Sequence, residues 1–197
     1  MDKINLELFD FDGTLTDKDT FVDIIKFNEG FFKCYIGFLR YAPFLVLMKL
    51  NLYSNQKTKE MIFSYFFKGM HHAAFNALCK AYTEDRFPKI IRTKAIDYIK
   101  DSKAQKGIVS ASMFPWVKLF AEKLGIDFVL ATEVEIDENG LLTGKFASAN
   151  CHGEEKVNRI NKKLTARDSY AITAFGDSSG DKQMLAYADR GFFNYFK

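Results

Sequence analysis

The sequence predicts an α/β fold: a doubly wound parallel sheet interrupted after its first strand by an all-helical insertion, with a small β-hairpin further along. Three observations carry this. An apolar strand at the start runs straight into two carboxylates and a glycine. From residue 107 onward, short apolar strands alternate with amphipathic helices. Between Thr20 and Tyr82 the periodicity is helical, with no convincing strand. So long a helical stretch between two strands of one sheet divides the chain into an α/β core, residues 1–17 and 88–197, and a helical cap, residues 18–87. A chain of 197 residues, 48% hydrophobic, can bury the core that such a fold needs.

In the first strand Ile4, Leu6 and Leu8 alternate with polar neighbours and give way to Phe9. Asp10 and Asp12 stand at its end, spaced i, i+2. On an extended chain they would point to opposite sides, so the backbone must turn if both are to reach one substrate. Gly13 permits that turn and the close approach of a ligand. Two carboxylates at a strand's C-terminal end, followed by Gly-Thr, suit a hard cation with an anionic substrate. An ordinary polar strand end closing in an Asp-Gly turn has the same residues.

Asp17 to Asp19 form a polar turn, and Phe21, Ile24, Ile25 and Phe27 a helix ending near Gly30. Residues 31–52 are the most apolar part of the chain. Lys33, Arg40 and Lys49 interrupt them, Pro43 kinks or splits any helix, and no uncharged run approaches ~20 residues, so no transmembrane span is expected. Apolar nearly all round, the stretch is either a buried helix or one that meets something greasy. Ser54 caps a helix carrying Met61, Ile62, Tyr65 and Phe66 that ends at Gly69. Helical spacing continues through Phe75, Leu78 and Tyr82 and, after Phe87-Pro88, through Ile90, Ile91, Ile96 and Ile99. The adjacent His71 and His72 point apart on a helix and are surface residues.

Strands follow at 107–109, running into Ser110-Ala111-Ser112, and at 128–131, with a helix over 116–124 between them. Residues 133–136 and 141–146 pair as a hairpin through Asp137-Glu138-Asn139-Gly140. A helix over 154–164, a buried strand over 170–175, the turn Gly176-Asp177-Ser178-Ser179-Gly180-Asp181, a helix over 182–187 and an edge strand over 191–193 complete the chain. Such a sheet carries its site at the C-terminal ends of its strands.

The net charge of +3 is too small to argue for nucleic acid. Cys34, Cys79 and Cys151 have neither zinc-site nor disulfide-framework spacing, so a reducing, cytoplasmic setting is expected; the first five residues hold no long apolar run, so no signal peptide is expected.

Three further motifs lie at strand ends. The Ser110 hydroxyl and the backbone amides after it, that of Ala111 first, can donate to phosphate oxygens, though short Ser-Ala-Ser stretches are also ordinary helix caps. Lys156, in the first turn of its helix, opposes the helix dipole and asks for a reason, although a surface lysine is the commonplace alternative. Asp177 and Asp181 directly follow an apolar strand, a pattern an acidic N-cap imitates only in part.

In this order, Asp10/Asp12, Ser110, Lys156 and Asp177/Asp181, the four motifs resemble those of the haloacid dehalogenase superfamily, over essentially the whole chain. The helical cap between the first and second motifs is similar to that of the phosphoserine-phosphatase-like branch. The resemblance implies a Rossmann-like core and a phosphomonoesterase. Asp10 would attack phosphorus to give an aspartyl phosphate, and Asp12 would act as general acid and then base. Ser110, the Ala111 amide and Lys156 would hold the phosphoryl oxygens. Mg2+ would be held by the Asp10 carboxylate, the Asp12 carbonyl and Asp177, with Asp181 reaching it through water. Asp19 lies where the branch places an acidic residue for the substrate's amine. The physics agrees: two anions must meet, so a divalent cation and a lysine are needed to offset their repulsion. Dehalogenases lack the second acid, so Asp12 indicates a phosphatase or phosphotransferase.

Phosphoserine phosphatases use a cap arginine for the substrate carboxylate; none occurs from Tyr41 to Asp85, which counts against phosphoserine. The apolar stretch followed by Lys57 and Lys59, and the run Cys151-His152-Gly153-Glu154-Glu155-Lys156-Val157, are instead similar to bacterial phosphatidylglycerophosphatases. From Ile24 to Phe67 the basic residues Lys26, Lys33, Arg40, Lys49, Lys57 and Lys59 face only Glu29 and Glu60. The implied partner is a phosphorylated small molecule or a lipid headgroup, not nucleic acid, with peripheral contact of the cap at the inner face of the cytoplasmic membrane. Equally, the aromatics make the cap's own core and the lysines a solvated face. A soluble amino-alcohol phosphate is the alternative substrate. A non-catalytic phosphate-binding protein is the alternative class, although such a protein would usually have lost a catalytic carboxylate.

Overall fold

Alternating burial along the first strand sets the architecture. In β1 (Ile4–Phe9) Leu6 and Leu8 pack on one side of the sheet with Ile172, Ala174 and Met184, while Phe9 packs on the other with Ile99, Phe120 and Phe175. A strand buried on both faces belongs in the middle of a parallel sheet. The computed structural model, which describes residues 3–50, 52–164 and 166–197, has it there. Met1 and Asp2 of the expected core, and Asn51 in the apolar stretch, lie outside the described residues. β2 (Gln105–Met113) and β6 (Tyr170–Gly176) flank β1, β3 (Phe128–Thr132) pairs outside β2, and β7 (Arg190–Phe193) closes the far edge. Every pairing in this five-stranded sheet is parallel. Registers such as Leu8 opposite both Gly107 and Ala174 bring Asp10, Ser110 and Asp177 to the same edge.

Among the described residues, five α-helices separate β1 from β2: α1 (Thr20–Arg40), α2 (Ala42–Lys49), α3 (Asn55–Phe67), α4 (His72–Ile90) and α5 (Thr93–Asp101). Gly30, with φ 79° and ψ 169°, breaks α1 into two segments where the sequence places a helix end. α4 runs through Pro88, where the sequence reading draws the boundary of the cap, and loses one ladder hydrogen bond in doing so. On α3 the buried residues are Thr58, Ile62, Phe63 and Phe67; of Met61, Ile62, Tyr65 and Phe66, which mark the helix in the sequence, only Ile62 is among them. The helix is apolar on several sides, so its neighbours chose the face. Phe63 meets Phe67, Phe75 and Phe146 at ring-centroid distances of 5.1, 5.9 and 5.8 Å. Phe146 comes from the hairpin of β4 (Val134–Ile136) and β5 (Leu142–Phe146), which continues the cap through Gly69 N–H to Leu142 O and Leu142 N–H to Met70 O, at 2.8 and 2.9 Å.

The second segment of α1 turns its apolar face outward. Phe31, Phe32, Tyr35, Ile36 and Leu39 are all exposed, Phe32 by 81%. Their spacing places them on one side of the helix, with Cys34 and Gly37 buried on the other. In α2 no residue is buried, and Val46 and Leu47 are exposed. Much of the apolar stretch is therefore not cap core. Among the described residues no single helix is long and apolar enough to cross a bilayer; α1 and α2 reach that composition only as a pair, bent by 64°.

Phe63→Ala should destabilise the protein by about 3–5 kcal/mol, because a buried ring is lost from a cluster that cannot collapse around it. Phe32→Ser should stay within about 0.5 kcal/mol of the parent. Urea unfolding of the two variants measures both.

Candidate active site

The turn after β1 does what the spacing of Asp10 and Asp12 requires. Residues 11–15 wind into a single tight turn in which Asp12 is extended (φ −73°, ψ 121°) and Gly13 left-handed (φ 80°). A Cβ on Gly13 would collide with the Asp177 carboxylate, so this glycine lets the two acidic loops meet.

Asp10 is buried. Its Oδ1 accepts from Lys156 Nζ at 2.6 Å and its Oδ2 from Thr14 Oγ1 at 3.1 Å. Lys156 lies in the first turn of α7 (Glu154–Lys163), is 1% exposed, and also donates to Asp181 Oδ1 at 2.6 Å. Two carboxylates are the reason for a lysine at an unfavourable end of a helix. Asp181 Oδ2 in turn accepts from the backbone N–H groups of Asp177 and Ser178 and from Ser178 Oγ, at 3.2, 2.9 and 2.8 Å. Asp181 thereby shapes the loop that presents Asp177. Carboxylate oxygens of Asp10, Asp177 and Asp181 lie within 4.8 Å of one another, a hard-oxygen set that fits a divalent cation.

The Asp12 carboxylate is not in that set. Its Oδ1 accepts from Thr20 N–H and Thr20 Oγ1, at 2.9 and 2.6 Å, and its Oδ2 from Ser112 Oγ. Trp116 Nε1–H fixes the Thr20 hydroxyl at 3.1 Å. The sequence reading missed Thr20, Ser112 and Trp116 in this role. Ser112 sits within the Ser-Ala-Ser motif, but Thr20 and Trp116 looked like an ordinary helix start and a core aromatic.

The remaining expected residues all line one cavity of about 440 Å³: Ser110, Ala111 and the exposed Asp19, whose Oδ1 caps α1 by accepting from Val22 N–H at 3.1 Å. Ser110 is buried, and its Oγ accepts from Ser112 N–H at 3.0 Å. Lys59, His152 and Lys197 also line the cavity, and Lys197 Nζ is 3.2 Å from Asp177 Oδ2.

Electrostatics separate the two N-terminal acids from Asp181. Burial pushes the Asp10 carboxyl up to about 7; Lys156 pulls it down, and Asp181 and Asp12 push it further up. Burial and the Asp19 charge raise Asp12 to about 6 against the hydrogen bonds from Ser112 and Thr20. Asp181 is also pushed up by burial, but Lys156 and Ser178 outweigh that and hold it below the usual range. Burial lowers Lys156, yet Asp10 and Asp181 more than compensate and keep it charged. The site thus holds a nucleophile candidate beside a fixed cation, and a second acid able to keep a proton near neutrality.

Gly13→Ala should strain the turn and displace Asp177. The expected result is weakened binding of Mg2+ or Mn2+, seen by calorimetry as a Kd raised about tenfold or more, with a stability cost of about 1–2 kcal/mol.

The haloacid dehalogenase-like hydrolase family model matches residues 8–186. Protein CicA of Caulobacter vibrioides is 32% identical over 195 residues, which cover 98% of this chain and 86% of CicA. Among solved structures, a Bordetella pertussis protein of unknown function superposes with a TM-score of 0.81 at 19% identity, covering 93% of this chain and 86% of its own. A phospho-aspartyl intermediate analogue of phosphoserine phosphatase superposes with a TM-score of 0.62 at 23% identity, covering 97% and 85%.

Proposed function

The chain belongs to the haloacid dehalogenase-like hydrolase family, and we propose that it is a magnesium-dependent phosphomonoesterase that works through an aspartyl phosphate on a lipid phosphate at a membrane surface. The observation that carries the phosphatase reading is the buried Lys156 bridging Asp10 and Asp181 beside Asp177, with Asp12 held separately by Thr20 and Ser112. Asp10 attacks phosphorus while Asp12 passes its proton to the departing alkoxide oxygen; Asp12 then takes a proton from the water that cleaves the Asp10 acyl phosphate. Lys156, Ser110 and the Ala111 N–H hold the phosphoryl oxygens. The carboxylates of Asp10 and Asp177 and the Asp12 carbonyl, with Asp181 through water, would hold a magnesium ion, which would supply positive charge to offset the phosphate and keep Asp10 ionised.

The lipid class rests on the outward apolar face of α1 and α2. Five large apolar side chains on one side of a helix need a partner. The exposed Lys26, Lys33, Arg40 and Lys49 along the same two helices suit an anionic bilayer surface. A soluble amino-alcohol phosphate is the second reading, favoured by Asp19 at the cavity.

With Mg2+, phosphate should be released from phosphatidylglycerophosphate in micelles faster than from phosphoserine, histidinol phosphate or phosphoethanolamine. Chelation should abolish release, Asp10→Asn should lower it by at least about a thousandfold, and Asp12→Asn by about a hundredfold to ten-thousandfold. Preference for a soluble ester would sink the lipid class. No turnover of any ester would sink the enzyme reading.

In flotation, wild type should rise with vesicles containing anionic lipid, and Phe31→Ser/Phe32→Ser should stay behind. Equal recovery of the two proteins would remove the membrane role from this face.

A further inference from the structure

Away from the catalytic site, the sheet carries a buried charge that its neighbours do not answer. Side chains alternate along β1, so Glu7 shares the face of Asn5 and Phe9, against which Tyr98 of α5 packs. Its register partners are Lys106 on β2 and Thr173 on β6, and Thr173 in turn stands opposite Arg190 on β7. These four residues make one row across the sheet.

A lysine beside a glutamate on the adjoining strand would ordinarily pair with it. Lys106 does not. It is buried, and its Nζ donates to the carbonyl oxygens of Ser102 and Ala104 at 2.7 and 3.0 Å, which holds down the segment between α5 and β2. Glu7, only 9% exposed, is left with one donor: its Oε1 accepts from the Tyr98 hydroxyl at 2.8 Å, and its Oε2 has no partner. A buried carboxylate oxygen is costly until something completes it.

The completing group has a place to sit. Glu7 lines a cavity of about 500 Å³ that shares no residue with the catalytic one. Asn5 and Thr173 lie beside it on the floor, which is the sheet. The walls are the segment that Lys106 holds and the start of β7, and they bring the exposed Lys103 and Arg190 to the rim. Among the described residues neither of these cations forms an ion pair. The cavity's other acid, Asp189, is committed: its Oδ2 accepts from Ile172 N–H at 2.7 Å and pairs with Arg167 at 3.1 Å. The cavity therefore offers an anionic acceptor inside and two free cations at its mouth.

We propose that this cavity binds a small zwitterion of the amino-acid class, its ammonium completed by Glu7 and its carboxylate held between Lys103 and Arg190. An ammonium brings the donors that Glu7 lacks, with charge of opposite sign. A simple cation would satisfy Glu7 but be repelled by the rim, and a simple anion would meet Glu7 as a like charge. Only a ligand with both signs suits both ends. Asp10 and Lys156 lie outside this cavity, so the proposal does not depend on the phosphatase reading.

Calorimetry on the full chain tests it, with L-alanine and γ-aminobutyrate as zwitterions of short and long charge separation, and ethylamine and acetate as single charges. At least one zwitterion should bind with a Kd of about 1 mM or tighter, and about tenfold or more tighter than either single charge. Glu7→Gln, which keeps the shape and removes the charge, and Arg190→Met should each weaken that binding by about tenfold or more. Asp10→Asn should leave it unchanged; loss of binding there would place the ligand in the catalytic cavity and overturn the proposal. No binding of either zwitterion at about 10 mM would also overturn it. So would equal binding by wild type and Arg190→Met, or by wild type and Glu7→Gln. If Glu7→Gln does not fold, the exposed Arg190 decides alone.

Discussion

The buried bridge from Asp10 through Lys156 to Asp181 is the interaction on which the rest of this structure depends. An ammonium that is 1% exposed survives in the interior only with both carboxylates beside it, and those carboxylates need it as much. Each group comes from a different part of the chain: the end of β1, the start of α7 and the loop after β6. Once they are joined, three of the four strand-end motifs are locked at one edge of the sheet, and Asp181 carries the order onward to the loop bearing Asp177. Removing Lys156 would leave two buried carboxylates without compensation, so the proposed catalytic arrangement and the local fold share one source of stability.

The second acid is handled differently. Asp12 takes no part in the bridge; it is gripped by Thr20 and Ser112, with Trp116 behind Thr20. One of these partners begins the first helix of the insertion and the other lies on β2. The group proposed to move protons is thus held by the junction between core and cap, while the group proposed to form the covalent bond is held by the core alone.

The helical insertion has two apolar faces with separate fates. Phe63, Phe67, Phe75 and Phe146 interlock inside it and tie it to the hairpin, and that rigid inner face holds the backbone from which Lys59 extends. Phe31, Phe32, Tyr35, Ile36 and Leu39 point the other way and make almost none of the core. A chain with 21 phenylalanines can supply both, and the proposed activity at a membrane surface would use them together.

By itself the sequence determined the α/β class, the order of strands and helices, and the residues that gather at the site. Those features rest on local periodicity and on short motifs such as Asp10 to Thr14 and Gly176 to Asp181, whose chemistry is written in adjacent residues. Only the tertiary structure decided which face of α3 is buried, because a helix with apolar residues on several sides has no preferred face until β5 packs against it. It also decided that Phe31, Phe32, Tyr35, Ile36 and Leu39 look outward: the same side chains would suit a core or a surface equally well, and the choice lies in what the rest of the cap leaves uncovered. The roles of Ser112 and Trp116 depend on contacts across 96 to 100 residues of chain, and Thr20 reaches Asp12 across a loop of 8. No local pattern encodes such contacts; they exist only once the sheet has set its register and the helices have closed over it.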